Sequence, residues 1–64
     1  MKKSVLLKHL KEKGCRLSRE GSNHSIYINI DTKAWTAIPR HPNIEERTVF
    51  RICKQLGIPK PKIN

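Results

Sequence analysis

Hydrophobic positions recur with a helical period in two segments, one near each end of the chain. In the first segment, Leu6, Leu7 and Leu10 fall at i, i+1 and i+4, and this spacing predicts one apolar helix face. Ser4 is a favourable N-cap residue, so we expect the helix to begin there and to run to about Lys13. A glycine follows at residue 14, where the left-handed residue that ends many helices is favoured.

The second segment carries an apolar stripe at i, i+3, i+4 and i+7, formed by Val49, Ile52, Cys53 and Leu56. Such a stripe is typical of the buried face of a helix. Asn43 and Glu46 have the spacing of a capping box, which places the helix start at Asn43 or two residues later. Gly57 is expected to end this helix. Ile58 then folds back onto Ile52 or Cys53 in a Schellman-type contact.

Segments of period two between the helices predict three short strands. The strands run from Cys15 to Arg19, from His24 or Ser25 to Ile30, and from Ala34 to Ile38, where Pro39 stops the third. Turns over residues 20–23 and 31–33 join them. The predicted fold class is therefore α+β, with the order α-β-β-β-α of a double-stranded-RNA-binding domain. We expect a three-stranded antiparallel sheet with two helices on one face.

The second predicted strand has two possible orientations. Strict alternation places His24 on the same face as the isoleucines at 26, 28 and 30, with Tyr27 opposite. The isoleucines favour the orientation in which their face is buried, with His24 at the end of the turn before the regular strand. In the other orientation Tyr27 is buried and His24 is exposed. The row of isoleucines would then form a protein-docking surface.

Length and charge restrict the class of partner. The chain has 64 residues, and its 14 lysines and arginines against five acidic residues give a formal net charge of +9. We expect a single domain over residues 1–64, with an ordered core over 3–58 and a basic tail over 59–64. The charge favours nucleic acid or an acidic protein over a neutral small molecule. The apolar run Val5-Leu6-Leu7 is too short for a signal peptide or a membrane span, so we expect a cytoplasmic protein with no membrane partner.

Basic residues are spread over both predicted helices and the sheet. Any one of them can be a solvated surface charge, but together they favour contact with phosphates or with an acidic protein. They are Arg47, Arg51 and Lys54 on the second helix, Lys2, Lys3, Lys8 and Lys11 around the first, and Arg16, Arg19, Lys33 and Arg40 on or near the sheet.

Cysteines and carboxylates lack the spacing of a metal site. Cys15 and Cys53 are far apart and show no zinc-ligand pattern with the three histidines. We expect both to be reduced, apolar core residues. The five carboxylates are scattered along the chain, whereas two-metal phosphodiester cleavage needs them clustered. The sequence therefore predicts no metal and no cofactor, and a nuclease of this kind would be metal-independent.

The best candidate for chemistry is the turn Gly21-Ser22-Asn23-His24 before the second strand. Its glycine lets a bulky phosphate approach, and its serine and asparagine offer a hydroxyl and an amide. Histidine exchanges a proton near neutral pH. By residue type alone, a lone histidine at a strand edge is more often structural than catalytic. His9 is expected to be a partly buried helix residue, and His41 a loop residue that could lie near a bound phosphate.

Together these features resemble the HicA toxins of bacterial HicA–HicB toxin–antitoxin pairs. The resemblance covers residues 3–58. It rests on the element order, on Gly21-Ser22-Asn23-His24, on Ile38-Pro39-Arg40-His41-Pro42 and on the helix end Lys54-Gln55-Leu56-Gly57-Ile58. It implies an mRNA interferase, an endoribonuclease on a double-stranded-RNA-binding-like fold, neutralised by a HicB-type antitoxin. His24 stands at the position of the catalytic histidine of that family.

With that resemblance, His24 is expected to act as general acid or base while Gly21, Ser22, Asn23 and Arg40 hold the RNA. The HicB-like antitoxin is expected to be acidic where it covers His24 or the basic surface. A non-catalytic RNA-binding module with the same fold is the alternative. A small DNA-binding regulator ranks third, because the predicted order lacks a helix-turn-helix pair.

Overall fold

The computed structural model describes residues 1–61 and has the predicted order of elements. The elements are α1 (Lys3–Glu12), β1 (Cys15–Glu20), β2 (His24–Asn29), β3 (Trp35–Pro39) and α2 (Glu46–Leu56). The strands form an antiparallel sheet in the order β1-β2-β3, so β2 is central. The predicted α+β class and the strand limits, to within one residue, are confirmed.

Both helices pack on the same face of the sheet and enclose one core. Apolar side chains from α1, β1, β3 and α2 are almost completely buried there, with partly buried residues packed around them. The buried set is Leu6, Leu10, Cys15, Ile38, Ile44, Val49, Ile52, Cys53 and Leu56. All four residues of the predicted α2 stripe belong to this set. Within residues 1–61, the opposite face of the sheet carries no helix.

The start of α1 differs from its predicted position, and α2 begins at the later of its two predicted positions, because backbone pairing between distant segments sets both starts. The N-cap of α1 is Lys2 instead of Ser4, and that of α2 is Glu45, two residues beyond Asn43; neither has a side-chain cap hydrogen bond. Lys2 forms an antiparallel β-bridge with Asn43. Next to it, the Ile44 amide donates to the Met1 carbonyl over 2.8 Å. These contacts bring the N-terminal ends of α1 and α2 side by side.

The end of α2 follows its local sequence. Gly57 has φ +70°, in the left-handed region. The Gly57 amide donates to the carbonyl of Lys54, and the Ile58 amide donates to that of Cys53 over 3.0 Å. This pair of hydrogen bonds is the Schellman motif. Ile58 also packs against the core, as predicted.

The favoured orientation of β2 is wrong. Ser25 and Asn29 are buried on the helix side, and Tyr27 packs against the core. His24 is exposed on the opposite face, with Ile26 and Ile28 only partly buried there. The inward polar groups are tolerated because each has a partner, and no buried side-chain nitrogen or oxygen within residues 1–61 lacks a hydrogen bond.

Beyond α2 the chain contacts both helices. The Nε2 atom of His9 lies 2.8 Å from the Pro59 carbonyl oxygen, and the Lys60 ammonium lies 4.6 Å from the ring centre of Phe50. Residues 59–60 of the predicted basic tail thus contact the two helices, while residues 62–64 of that tail lie outside the described part. Neither described helix has the length and apolarity needed to cross a membrane.

Candidate active site

A tight hairpin turn between β1 and β2 places His24. Glu20 pairs with Ser25 at the ends of the strands, and the Gly21 amide donates to the His24 carbonyl over 2.7 Å. A Cβ atom added to Gly21 would lie 3.0 Å from that carbonyl oxygen, closer than side chains normally approach backbone. The close approach of these two backbone segments therefore favours a glycine. It also fixes where the imidazole leaves the strand.

Glu20 and Arg40 fasten this turn to the end of β3. The guanidinium of Arg40 donates to the Glu20 carboxylate and to the Gly21 carbonyl. The other carboxylate oxygen of Glu20 accepts the hydroxyl hydrogen of Ser25 over 2.8 Å. Both members of the ion pair are about half exposed, so solvent screens their attraction. The contact contributes more to the position of the turn than to the stability of the fold.

A shallow cavity of about 290 Å³ brings most of the predicted site residues together. It is lined by Ser22, Asn23, His24, Pro39, Arg40 and His41. A hydroxyl, an amide, a guanidinium and two imidazoles thus face one space open to solvent. Gly21 does not line the cavity. It contributes through its backbone, which is hydrogen-bonded to His24 in the tight turn.

His41 enters this cavity through the register of the sheet. Pro39 of β3 pairs with His24 of β2, so the chain that leaves β3 passes beside the turn and carries His41 with it. The sequence indicated His41 as a loop residue with possible access to phosphate, but its meeting with His24 depends on the β2–β3 register. Counting paired residues outward from the predicted turn at residues 31–33 would have placed His41 near His24.

Two other depressions of the surface share no lining residue with the His24 cavity. His9 is on α1 beside residues 59–61. A groove of about 700 Å³ follows the free edge of β3 beside α2, where Lys33, Trp35 and Arg51 are among its lining residues. Cationic side chains thus occur on several surfaces. His24 and His41 share the cavity at the β1–β2 turn.

Cysteines, tyrosine and acidic residues offer no second reactive centre among residues 1–61. No group of three or more metal-ligating side chains comes together there. Cys15 and Cys53 are free and buried, and burial raises the pKa of both thiols. Burial, and secondarily the charge of Glu20, raises the pKa of the Tyr27 hydroxyl. These groups therefore stay protonated at neutral pH and are poor nucleophiles.

Comparisons with known proteins agree with the motifs around this site. Neither a curated protein nor a solved structure matches the chain. The family model described as "HicA toxin of bacterial toxin-antitoxin" matches residues 4–58, which include both helices, the whole sheet and the cavity with His24. The match confirms the resemblance that the sequence motifs indicated. The chain belongs to the HicA family of toxins of bacterial toxin–antitoxin systems.

Proposed function

We propose that this toxin is a metal-independent endoribonuclease that cleaves mRNA and thereby inhibits translation. The observation that carries the proposal is the exposed His24, which lines a cavity with Arg40 and the polar side chains of the turn. A formal charge of +9 on 64 residues attracts a polyanion to this surface. RNA also presents a 2′-hydroxyl beside each phosphate, and this gives an imidazole a proton to remove.

The residues around the cavity supply groups suited to a ribose-phosphate. In the proposed complex the Ser22 hydroxyl and the Asn23 amide hydrogen-bond the sugar or phosphate. The N–H groups of Arg40 that are not used on Glu20 and Gly21 face the phosphate. A guanidinium has five donors, so it can hold the turn and contact an anion together.

Breaking a phosphodiester requires one proton to leave the nucleophile and one to reach the leaving oxygen. In the proposed reaction an oxygen attacks phosphorus as an imidazole removes its proton, and the bond from phosphorus to the leaving oxygen breaks as a second group donates one. In this proposal His24 performs one transfer, and His41, which lines the same cavity, performs the other. A positioned acid or base contributes about 10²–10⁴-fold, which suits a slow toxin.

The carboxylate of Glu20, beside the turn, already has hydrogen-bond partners. Glu20 accepts hydrogen bonds from Ser25 and Arg40, which leaves less of its oxygen surface for a cation. We therefore expect RNA cleavage to continue at full rate in excess EDTA. A loss of activity in EDTA that added Mg²⁺ restores would contradict metal independence.

The test compares RNA decay by the purified wild-type protein, His24→Ala and His9→Ala. His9 is the matched control, because it is a histidine away from the cavity. We expect His24→Ala to lose about 10²–10⁴-fold in rate while His9→Ala keeps the wild-type rate. Circular dichroism checks that both variants are folded. Equal decay in all three samples would overturn the catalytic role of His24.

The same experiment separates the enzyme from a non-catalytic RNA-binding module. Such a module would bind RNA without shortening it, and His24→Ala would change only the affinity. Binding alone cannot decide between them, because any basic protein binds RNA in a salt-dependent manner. The length of the RNA products is therefore the required measurement.

The proposed regulation follows from the family and the charge. A toxin of a toxin–antitoxin pair has an inhibitory partner, and we propose that it is a HicB-type antitoxin with an acidic contact surface. Opposite charges accelerate such an association. We propose the cytoplasm as the place of action, since mRNA and its translation are there.

A further inference from the structure

The sheet face opposite the two helices has a partly exposed apolar row. We call this surface the open face; it is formed by Ile26 and Ile28 of β2 with Trp35 and Ala37 of β3. Ile28 is paired with Trp35, and Ile26 with Ala37, so the four side chains form a two-by-two patch. Trp35 is 62% exposed. A large aromatic residue left in water within an apolar patch indicates a contact surface.

The open face contains a depression that can receive a side chain. A cavity of about 300 Å³ is lined by Ser18, Arg19, Ile26, Ile28 and Trp35. Trp35 also lines the larger groove on the other side of β3, together with Lys33 and Arg51. The exposed indole therefore stands between two depressions with cationic borders. An apolar centre with arginines at its margin is the usual composition of a protein–protein contact.

The open face is continuous with the cavity at His24. His24 belongs to the same strand and the same face as Ile26 and Ile28, and it pairs with Pro39 next to Ala37. Residues two positions apart on a strand are about 6.6 Å apart. A protein seated on the isoleucines therefore extends over the imidazole with no change in the fold.

We propose that the open face is the docking surface for an acidic protein, with Trp35 as its central anchor. The inference rests on the proposed function, in which such a protein is the inhibitory antitoxin. The partner presents an apolar patch to Trp35 and the isoleucines, and carboxylates to Arg19 and Arg51. Seated there, it covers His24 and excludes RNA from the cavity.

Charge and chemistry favour this occupant over two others. A second copy of the chain would bring two charges of +9 together, with Arg19 of each copy near like charges. RNA gains affinity by stacking bases on aromatic platforms, but Trp35 is the one aromatic side chain of the open face, and its neighbours are aliphatic. A standard interface covers about 800 Å² per partner. That is about a sixth of the 4638 Å² surface of the described residues.

The test titrates the purified cognate antitoxin against wild type, Trp35→Ser and Val5→Ser. Val5 is a matched control, since it is an exposed apolar residue on α1, at 51%. We expect Trp35→Ser to weaken binding by about thirtyfold or more, as central anchors do, and Val5→Ser to bind as wild type does. Arg19→Glu should slow association and reduce its salt dependence. Equal affinity of Trp35→Ser and wild type would overturn the proposal.

Fluorescence and RNA cleavage distinguish the remaining outcomes. Trp35 is the single tryptophan of the chain, so its emission should shift to the blue when the antitoxin is added. Trp35→Ser should cleave RNA at the wild-type rate but escape inhibition. This result supports the docking surface whatever residue performs the cleavage. A loss of RNA affinity in Trp35→Ser with unchanged antitoxin affinity would assign the open face to RNA and contradict the proposal.

Discussion

Replacing Asn29 by alanine tests how the sheet is joined to α2. Asn29 is 5% exposed, and its Nδ2 group donates to the Leu56 carbonyl over 2.8 Å. Its Oδ1 atom accepts from the amides of Asp31 and Thr32, at 3.0 and 3.4 Å. One side chain thus satisfies a carbonyl at the end of α2 and shapes the β2–β3 turn.

The stability lost in Asn29→Ala depends on which hydrogen-bond partners of Asn29 can bind water instead. The Leu56 carbonyl is in the core and loses its donor, which costs about 1–3 kcal/mol. The amides of Asp31 and Thr32 belong to exposed residues, so water can replace Asn29 as their acceptor. The loss of each of these two hydrogen bonds therefore costs at most about 0.5–1.5 kcal/mol. We therefore expect Asn29→Ala to lose about 2–4 kcal/mol. A domain of this size has only about 3–10 kcal/mol in total.

Urea denaturation followed by circular dichroism measures this loss. Asn23→Ala is the matched control, because that asparagine is exposed in the β1–β2 turn, and its stability should stay within about 0.5 kcal/mol of wild type. Asn29→Asp keeps an acceptor for the turn amides but removes the donor to Leu56, so it should be destabilised as well. A free energy of unfolding for Asn29→Ala within 0.5 kcal/mol of wild type, as an order-of-magnitude limit, would refute the reasoning.

Three further predictions concern the turn and the thiols. Gly21→Ala should lower RNA cleavage at least tenfold, as an order-of-magnitude expectation, because its Cβ displaces the backbone of His24; a wild-type rate would contradict this. Glu20→Gln should reduce cleavage but change stability by no more than about 1 kcal/mol, since the ion pair is half exposed; denaturation and rate measured together check it. Because burial raises the pKa of Cys15 and Cys53, the folded state keeps these protons to higher pH, so the free energy of unfolding should fall above about pH 8.5. The fall should be smaller in Cys53→Ala, and an equal fall in both proteins would contradict the assignment.

Local signals predicted the helices and their ends better than their starts. The α2 stripe and Gly57 act within one or two turns of helix, and the structure confirms both. The starts depend on pairing between residues 1–2 and 43–44. No local pattern encodes contacts between segments forty residues apart, so the serine cap of α1 was wrong, and α2 begins at the later of its two predicted positions.

The orientation of β2 shows why hydrophobicity alone was misleading. Ser25 and Asn29 are polar, yet they are buried because Glu20 and the Leu56 carbonyl satisfy them. Those partners are known only once the sheet and α2 are assembled. With Ser25 and Asn29 on the helix side of β2, Ile26 and Ile28 lie on the open face.

The candidate site was predictable only in part. The turn that places His24 is a local feature, and the sequence indicated it. The clamp between Glu20 and Arg40, and the approach of His41 to His24, depend on the β2–β3 register. The RNA-binding roles of Ser22, Asn23 and Arg40 stay predictions, with their shared cavity as support.

The most direct measurement of the central claim is the single-turnover rate of RNA cleavage with the protein in excess. Under these conditions the rate constant reports the chemical step, and its dependence on protein concentration reports RNA binding separately. We predict that His24→Ala lowers the rate constant by about 10²–10⁴-fold and leaves half-saturation nearly unchanged. A rate constant equal to that of wild type, in a folded variant, would contradict the account.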